Sequence, residues 1–134
     1  KVVFNTDGTI KRIFDKEEKK EILASKQHGN QLLLFKDTPV DYDAWDIDPD
    51  YLKLRPEKAV LGSVSVEEKG PLCVSLIQEY SISNSRIIQE IRLYKESKIL
   101  EFKTDVDWQE KRKMLKVRFP LNIYTDYSSF DIFS

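Results

Sequence analysis

Apolar residues recur at every second position over most of the chain. In the segment 99–107, Leu100, Phe102, Thr104 and Val106 alternate with acidic and basic residues. A period of two is typical of a β-strand with one buried and one solvated face, as in antiparallel sheets. The segments that repeat this pattern are 72–82, 87–94 and 115–119. The pattern predicts an all-β fold with little helix, arranged as an antiparallel β-sandwich.

Turn signals separate these segments. The residues Thr6-Asp7-Gly8-Thr9 lie between two apolar stretches, and Asp-Gly favours the positive φ values of a tight hairpin turn. The segment 15–24 is a weak helix candidate with few apolar residues, so we expect a charged loop or a strand pair there. We expect about eight to ten short antiparallel strands in one or two twisted sheets. The segment 72–82 should bury Leu72 and Val74.

Length and composition limit the functions that the chain can have. With 134 residues, we expect 1–134 to form a single β-sandwich domain or part of one. The 22 basic and 23 acidic residues lack the positive excess that nucleic-acid binding needs, and no apolar run could span a membrane. One cysteine excludes an internal disulfide, and one histidine excludes a metal centre built on several His residues.

The two ends of the sequence suggest a piece cut from a longer protein. The chain starts at Lys1 without an initiator Met or a signal segment, and it ends in a strand-like run. Sheet edges that neighbours cover in the parent protein should then be exposed, and we expect a homodimer through such edges. The low cysteine content and the missing signal predict a cytoplasmic location.

The segment 37–50, DTPVDYDAWDIDPD, differs from the rest of the chain. It holds six aspartates, two prolines and no basic residue, and it lacks sustained alternation. We therefore expect an irregular Asp-rich loop, and loops of this length inside compact domains are usually functional or disordered. Tyr42, Trp45, Ile47 and Tyr51 favour order, because such residues order a segment by burying their side chains.

One interpretation of this loop is a calcium site. Asp46, Asp48 and Asp50 alternate as the ligands of a helix-flanked calcium loop do, and Glu57 occupies the twelfth position. However, Tyr51 stands where that loop requires glycine, and neither flank has a helical pattern.

Two other interpretations remain open. In a sugar-facing site, the carboxylates of Asp43 and Asp46 would accept hydrogen bonds from sugar hydroxyls while the indole of Trp45 stacks on the ring. In a structural role, Trp45 would plug the edge of the sandwich, and the aspartates would accept backbone N–H groups that hold turns.

Three ordered segments resemble a known family. The stretch GNQLLLFKDTPVDYDAWDID (29–48) is similar to the C-terminal β region of glycoside hydrolase family 38, the retaining α-mannosidases. The segment NTDGTIKRIFDKEEKKEIL (5–23) resembles the opening hairpin of that region. The segment VDWQEKRKMLKVRFPLNI (106–123) resembles its DW.E….LK..FP stretch.

The resemblance implies that the chain is a portion of a galactose-mutarotase-like supersandwich. Family members cleave terminal α-mannosides through a glycosyl-enzyme intermediate on an aspartate. Two His and two Asp hold a zinc ion that binds the sugar hydroxyls. The resemblance places these groups in an N-terminal catalytic domain, so it implies no catalytic residue, metal ligand or cofactor in this chain, and zinc in the full-length enzyme.

The leading hypothesis is therefore a non-catalytic β domain of an α-mannosidase, inactive on its own. Its partners would be the catalytic domain of the same polypeptide and the α-mannoside substrate. Asp43, Trp45 and Asp46 would line the sugar cleft or lock the domain interface. A stand-alone carbohydrate-binding β-sandwich module is the alternative, and a purely structural interaction domain is a third hypothesis.

Overall fold

The computed structural model of the chain describes residues 1–42 and 45–127. Within them, the regular structure is ten strands and one short 3₁₀ helix, Pro49–Lys53. The strands are β1 Val2–Phe4, β2 Ile10–Asp15, β3 Lys20–Glu21, β4 Gln31–Lys36, β5 Glu57–Lys58, β6 Val60–Lys69, β7 Cys73–Ile82, β8 Ser85–Tyr94, β9 Leu100–Asp107 and β10 Lys113–Arg118. The prediction of an all-β fold is confirmed.

The strands form three antiparallel sheets, in the orders β1-β2-β3, β10-β4-β5 and β6-β7-β8-β9. The expectation of one or two sheets is therefore wrong, because β1 to β3 form a small sheet of their own. The strand pair expected in 15–24 is present as the pairing of β2 with β3.

The largest sheet is a meander in which consecutive strands are neighbours. The turn between β7 and β8 holds only Ser83 and Asn84, and Ser83 has a φ of 53°. Tyr80 pairs with Ile87, and Ile87 in turn pairs with Val106 of β9. Directly opposite residues of antiparallel strands point to the same side, so this register places Tyr80, Ile87 and Val106 on one face of the sheet.

The core lies where β4 packs on that face. The buried cluster consists of Leu32, Leu34, Tyr80, Ile82 and Ile87. Leu61 and Leu115 are partly buried and pack against it. Residues from β4, β7 and β8 thus meet between two sheets, which is the packing of a β-sandwich.

The hairpin predicted at residues 6–9 joins β1 to β2. Asp7 Oδ1 accepts hydrogen bonds from the Thr9 N–H at 3.0 Å and from the Thr9 hydroxyl at 2.6 Å. Gly8 has a φ of 83°, and a Cβ there would lie 2.9 Å from Cζ of Tyr80. Glycine is therefore required by both the backbone conformation and the close approach of Tyr80.

The predicted burial at the start of β7 is wrong. Leu72 and Val74 are exposed, whereas Cys73 and Ser75 are buried. Leu72 precedes the strand, and Val74 lies at the end of the sheet away from the residues that β4 covers. On the opposite face, Ser75 lies directly across from Arg92, which forms an ion pair with Glu90.

Strand β6 is an exposed edge of the largest sheet. Almost all of its residues are exposed, among them Val60, Val64 and Val66. Register irregularities interrupt its pairing with β7 near Gly62 and Glu67. An open edge of this length is a template on which another strand can pair, and irregularities limit that tendency.

Among the described residues, no helix is long and apolar enough to span a membrane.

Candidate functional site

The Asp-rich loop of residues 37–50 leaves β4 and leads through the 3₁₀ helix toward β5. At its start, the backbone N–H of Asp37 donates to the Arg112 carbonyl oxygen at 2.9 Å, which ties the loop to the segment before β10. Arg112 has a φ of 51°, in the left-handed region. One end of the loop is therefore attached to the sheet that contains β4 and β10.

A tight turn presents Trp45 and Asp46. The N–H groups of both residues donate to the Tyr42 carbonyl oxygen, at 2.7 Å and 2.9 Å, and Tyr42 has a φ of 53°. The Trp45 side chain is 91% exposed, and Asp46 is also exposed. The predicted neighbours Trp45 and Asp46 thus lie together at the surface, while Asp43 lies outside the described residues.

The structural alternative for Trp45 is wrong, because a side chain this exposed does not plug the edge of the sandwich. The expectation that buried side chains order this segment is wrong for Tyr42, Trp45 and Ile47, which are exposed, and is confirmed for Tyr51, which is half-buried. The ring that packs is that of Tyr51, which meets the ring of Phe35 edge-on at a centroid distance of 5.1 Å. The Lys116 ammonium lies over the Tyr51 ring at 4.1 Å and also donates to its hydroxyl.

Two of the aspartates have structural partners. Asp48 is the N-cap of the 3₁₀ helix, and its Oδ1 accepts the Asp50 N–H at 2.9 Å. Asp50 forms an ion pair with Lys53 at 2.6 Å. Glu57, the twelfth position of the calcium pattern, lies 3.6 Å from the Lys113 ammonium. These contacts agree with the structural interpretation of Asp48, in which its carboxylate holds a turn.

The described residues do not fit a metal centre. Within 1–42 and 45–127, no group of three or more His, Cys, Asp or Glu could hold a metal ion. The calcium interpretation therefore has no support in this part of the chain. The same residues also do not fit the zinc ion that the resemblance implies for the full-length enzyme.

His28 is exposed. Burial raises the pKa of the Cys73 thiol, and the negative charge of Glu68 adds to the effect, so the thiol is protonated at neutral pH.

The loop carries an unusual amount of exposed apolar surface. We call Val40, Tyr42, Trp45, Leu52 and Leu54 the loop surface, because all five side chains are exposed. Aspartates lie between them along the chain. Exposed apolar side chains that follow one another in a short segment make it a candidate for contact with a partner or a ligand.

Sequence reasoning missed a carboxylate that links distant turns. The Glu110 side chain is 3% exposed, and Oε1 accepts the Asn84 N–H at 2.7 Å and the Ser85 hydroxyl at 3.1 Å. Burial raises its pKa, but these bonds and the Lys113 ammonium at 3.0 Å outweigh burial and lower the pKa to about 2. Its place in the DW.E pattern (107–110) was the available signal, but its hydrogen-bond donors Asn84 and Ser85 lie 26 and 25 residues away in the chain.

Comparisons with known proteins place this arrangement in a family. The model of the glycosyl hydrolases family 38 C-terminal domain matches residues 1–133. The alpha-mannosidases 2C1 of Mus musculus and Homo sapiens are both 36% identical over 115 residues, which is 84% of this chain and 11% of each relative. Alpha-mannosidase G of Dictyostelium discoideum is 31% identical over 98% of this chain and 12% of its own length. The chain therefore belongs to the family of glycosyl hydrolase family 38 C-terminal domains.

Proposed function

We propose that the chain is the non-catalytic β domain of a retaining α-mannosidase and that it supports a catalytic domain of the same polypeptide. The family match over residues 1–133 carries this proposal, because the matched part is only 11 to 12% of the relatives named alpha-mannosidase. The full-length enzyme would hydrolyse terminal α-mannosides and hold zinc outside this chain. It would reside in the cytoplasm.

The residues of the chain support the division between a supporting and a catalytic part. The sequence has one histidine, and three of its 23 acidic residues, Asp48, Asp50 and Glu110, take part in a cap or an ion pair. A retaining glycosidase needs a nucleophilic carboxylate and an acid on the two sides of the scissile bond. We therefore assign both groups, like the zinc, to the rest of the enzyme.

The direct test of this division is hydrolysis of p-nitrophenyl α-mannoside with and without added zinc. The isolated chain should release no p-nitrophenol above buffer, whereas the full-length protein should hydrolyse the substrate. Turnover by the isolated chain that survives repeated purification would contradict the proposal.

The loop surface is the part of the chain that we propose contacts the catalytic domain. Trp45 is 91% exposed, and burying an indole removes roughly 150 to 250 Å² of surface from water. At about 25 cal/mol per Å², this burial contributes about 4 to 6 kcal/mol before the costs of association. A partner surface that covers Trp45 would thus stabilise the enzyme, and Asp43 and Asp46, which are close to Trp45 in the sequence, would accept hydrogen bonds from sugar hydroxyls.

Substitutions in the full-length enzyme separate locking of the interface from lining of the cleft. If the loop locks the interface, Trp45→Ala should lower the Tm with little change in kcat/KM. If the loop lines the cleft, Trp45→Ala and Asp46→Ala should lower kcat/KM at unchanged Tm. Tyr124→Ala is a matched control, because Tyr124 is also 91% exposed but lies outside the loop. Loop variants indistinguishable from wild type in both measurements would contradict both roles.

The exposed indole also favours the second candidate, a stand-alone carbohydrate-binding module. An accessible aromatic face beside a carboxylate is suited to stacking on a sugar ring, and Trp45 and Asp46 supply both groups. Titration of the isolated chain with methyl α-mannoside, followed by tryptophan fluorescence, tests this candidate. A saturable change that Trp45→Ala abolishes would support the module, and its absence would favour a supporting domain.

The open edge of β6 supports a homodimer of the isolated chain. Val60, Val64 and Val66 are exposed along this edge, which offers unpaired backbone groups to a second copy. Sedimentation velocity over a concentration series should show a dimer. A monomer at every concentration would contradict pairing through this edge.

A further inference from the structure

Asn30 occupies an unusual position beside the core. It is 2% exposed and has a left-handed backbone with a φ of 54°. Asparagine tolerates this conformation better than most residues. The preceding Gly29 exchanges backbone hydrogen bonds of 2.9 Å with Ile10, which attaches this segment to β2. Both the backbone and the side chain of Asn30 are therefore held in place.

The two ends of the Asn30 amide differ in their partners. Nδ2 donates to Oε1 of Gln89 at 2.6 Å, and Nε2 of Gln89 donates to the Thr104 hydroxyl at 3.0 Å. Oδ1 of Asn30 has no hydrogen-bond donor among the residues that the structure describes. Buried polar atoms are nearly always hydrogen-bonded, so this acceptor requires a donor from outside the described residues.

Asn30 lines a pocket next to the β1–β2 turn, which we call the Asn30 pocket. The pocket has a volume of about 110 Å³, and its polar walls include Asp7, Thr9, His28 and Tyr80. This volume exceeds what one water molecule needs, and the walls offer several polar partners. The pocket can therefore hold a small polar group against Asn30.

The chemistry of the walls favours a neutral donor. The Thr9 hydroxyl is the largest of several effects that together lower the pKa of Asp7, so the rim carries a carboxylate. Burial, with a smaller contribution from Asp7, raises the pKa of Tyr80 to about 12. Its hydroxyl donates to Gln78 Oε1 at 2.8 Å, which leaves the oxygen free to accept. Asp7 and Lys58 both line the pocket, so its wall has no excess charge of either sign that would select an anion or a cation.

We propose that the Asn30 pocket binds a hydroxyl donor, whose O–H group donates a hydrogen bond to Oδ1 of Asn30. The donor is an ordered water molecule or a hydroxyl of a small polyol, and both have the same chemistry toward the amide. This inference concerns the chain alone and does not depend on the α-mannosidase proposal.

Crystals of the chain at about 1.2 Å resolution or better, where the oxygen and nitrogen of an amide can be told apart, test the proposal. One crystal is grown without polyols, and a second is soaked in glycerol. We expect an ordered oxygen about 2.6 to 3.2 Å from Oδ1 of Asn30. Water in both crystals identifies water as the donor, and glycerol in the second identifies a polyol. An amide with Nδ2 facing the pocket, or no ordered oxygen beside Oδ1, would overturn the proposal.

A titration in solution shows whether a polyol also binds to the Asn30 pocket outside the crystal. If a polyol is the donor, glycerol should shift the side-chain amide signals of Asn30 in the ¹⁵N-labelled chain saturably, while those of the exposed Asn84 stay in place. If water is the donor, those signals should not move, and the Asn30 region should show contacts with a long-lived water. The absence of both a saturable shift and a long-lived bound water would contradict the proposal.

Two variants complete the test. Asn30→Gly keeps the left-handed backbone and deletes the acceptor, so the bound oxygen should disappear. Ala59→Leu, at a half-buried lining residue, should exclude the donor while Asn30 stays in place, which provides a second readout if Asn30→Gly does not fold. An oxygen that stays at its position in Asn30→Gly would contradict a hydrogen bond to Asn30.

Discussion

Aromatic and polar side chains are buried in the β7–β8 hairpin but exposed in the Asp-rich loop. Tyr80 in the hairpin is 4% exposed, and its hydroxyl donates to a buried glutamine, whereas Trp45 in the loop is 91% exposed. Gln78 and Gln89 are also buried in the hairpin, while Asp46 is exposed in the loop. Residue type therefore does not decide burial here; the position of the residue relative to the paired strands does.

The difference has a physical origin in the backbone. Strands β7 and β8 pair without interruption, so every second side chain points toward β4 and its polar members meet across the strands. The described residues of the loop have no such pairing and are held by single contacts, such as the Asp48 cap and the ring of Tyr51 on Phe35. The hairpin thus supplies stability, and the loop carries exposed groups, for which we propose contacts outside the chain.

The largest expected effect is in the hairpin. Ile87 is fully buried in the cluster with Tyr80 and Leu34, so Ile87→Ala should lower the free energy of unfolding by about 2 to 5 kcal/mol. Urea denaturation measures this loss. Ile99→Ala is the control at an exposed position before β9, and it should change stability by less than about 0.5 kcal/mol. Equal effects of the two variants would show that the described core does not stabilise the chain.

A second effect should appear in acid. The pKa of Glu110 falls from an ordinary value of 4.5 to about 2 in the folded chain, because its bonds to Asn84 and Ser85 and the charge of Lys113 outweigh burial. A lowered folded-state pKa contributes stability above the unfolded value that is lost as the pH falls through the folded value. The free energy of unfolding should therefore decrease between about pH 4.5 and pH 2.

The variant Glu110→Gln isolates this contribution. It should be less stable than wild type at neutral pH and should lose less stability across the acid range, as measured by urea denaturation at each pH. Glu67→Gln, at an exposed position of β6, is the control and should follow wild type. A Glu110→Gln variant with the wild-type pH profile would contradict the role given to this carboxylate.

The smallest expected effect is in the loop. In the isolated chain, Trp45→Ala should change the free energy of unfolding by less than about 0.5 kcal/mol, because the side chain is exposed and alanine keeps the N–H bond to Tyr42. Thermal and urea denaturation measure this directly. A loss above about 1 kcal/mol would mean that the indole packs on the chain, which would remove the contrast between the two regions.

The strands could be predicted from the sequence, because alternation such as that of Leu100, Phe102 and Val106 reports a paired strand directly. The burial of Ser75 could not, because alternation with Val74 and Leu76 assigns Ser75 to the polar face of the strand. The turn at Asp7 and Gly8 was predictable from local chemistry.

The candidate site was predictable only in part. Its acidic composition and the irregular backbone were evident, and the general interpretation of turn-holding aspartates holds for Asp48. The packing of Tyr51 beside Lys116 joins residues 65 positions apart, and the Asn30–Gln89 bond spans 59, so neither leaves a local pattern. The exposure of Trp45 also opposes the usual tendency of indoles to be buried, which makes it informative about a partner.

The central claim is that the hairpin serves the fold of this chain and that the loop surface serves the rest of the parent enzyme. Hydrogen–deuterium exchange of the isolated chain and of the full-length protein, compared peptide by peptide, tests it most directly. Peptides of β7 and β8 should be protected in both proteins, and peptides within 40–54 should exchange fast in the isolated chain and slowly in the full-length enzyme. Equally fast exchange of residues 40–54 in both proteins would contradict the claim.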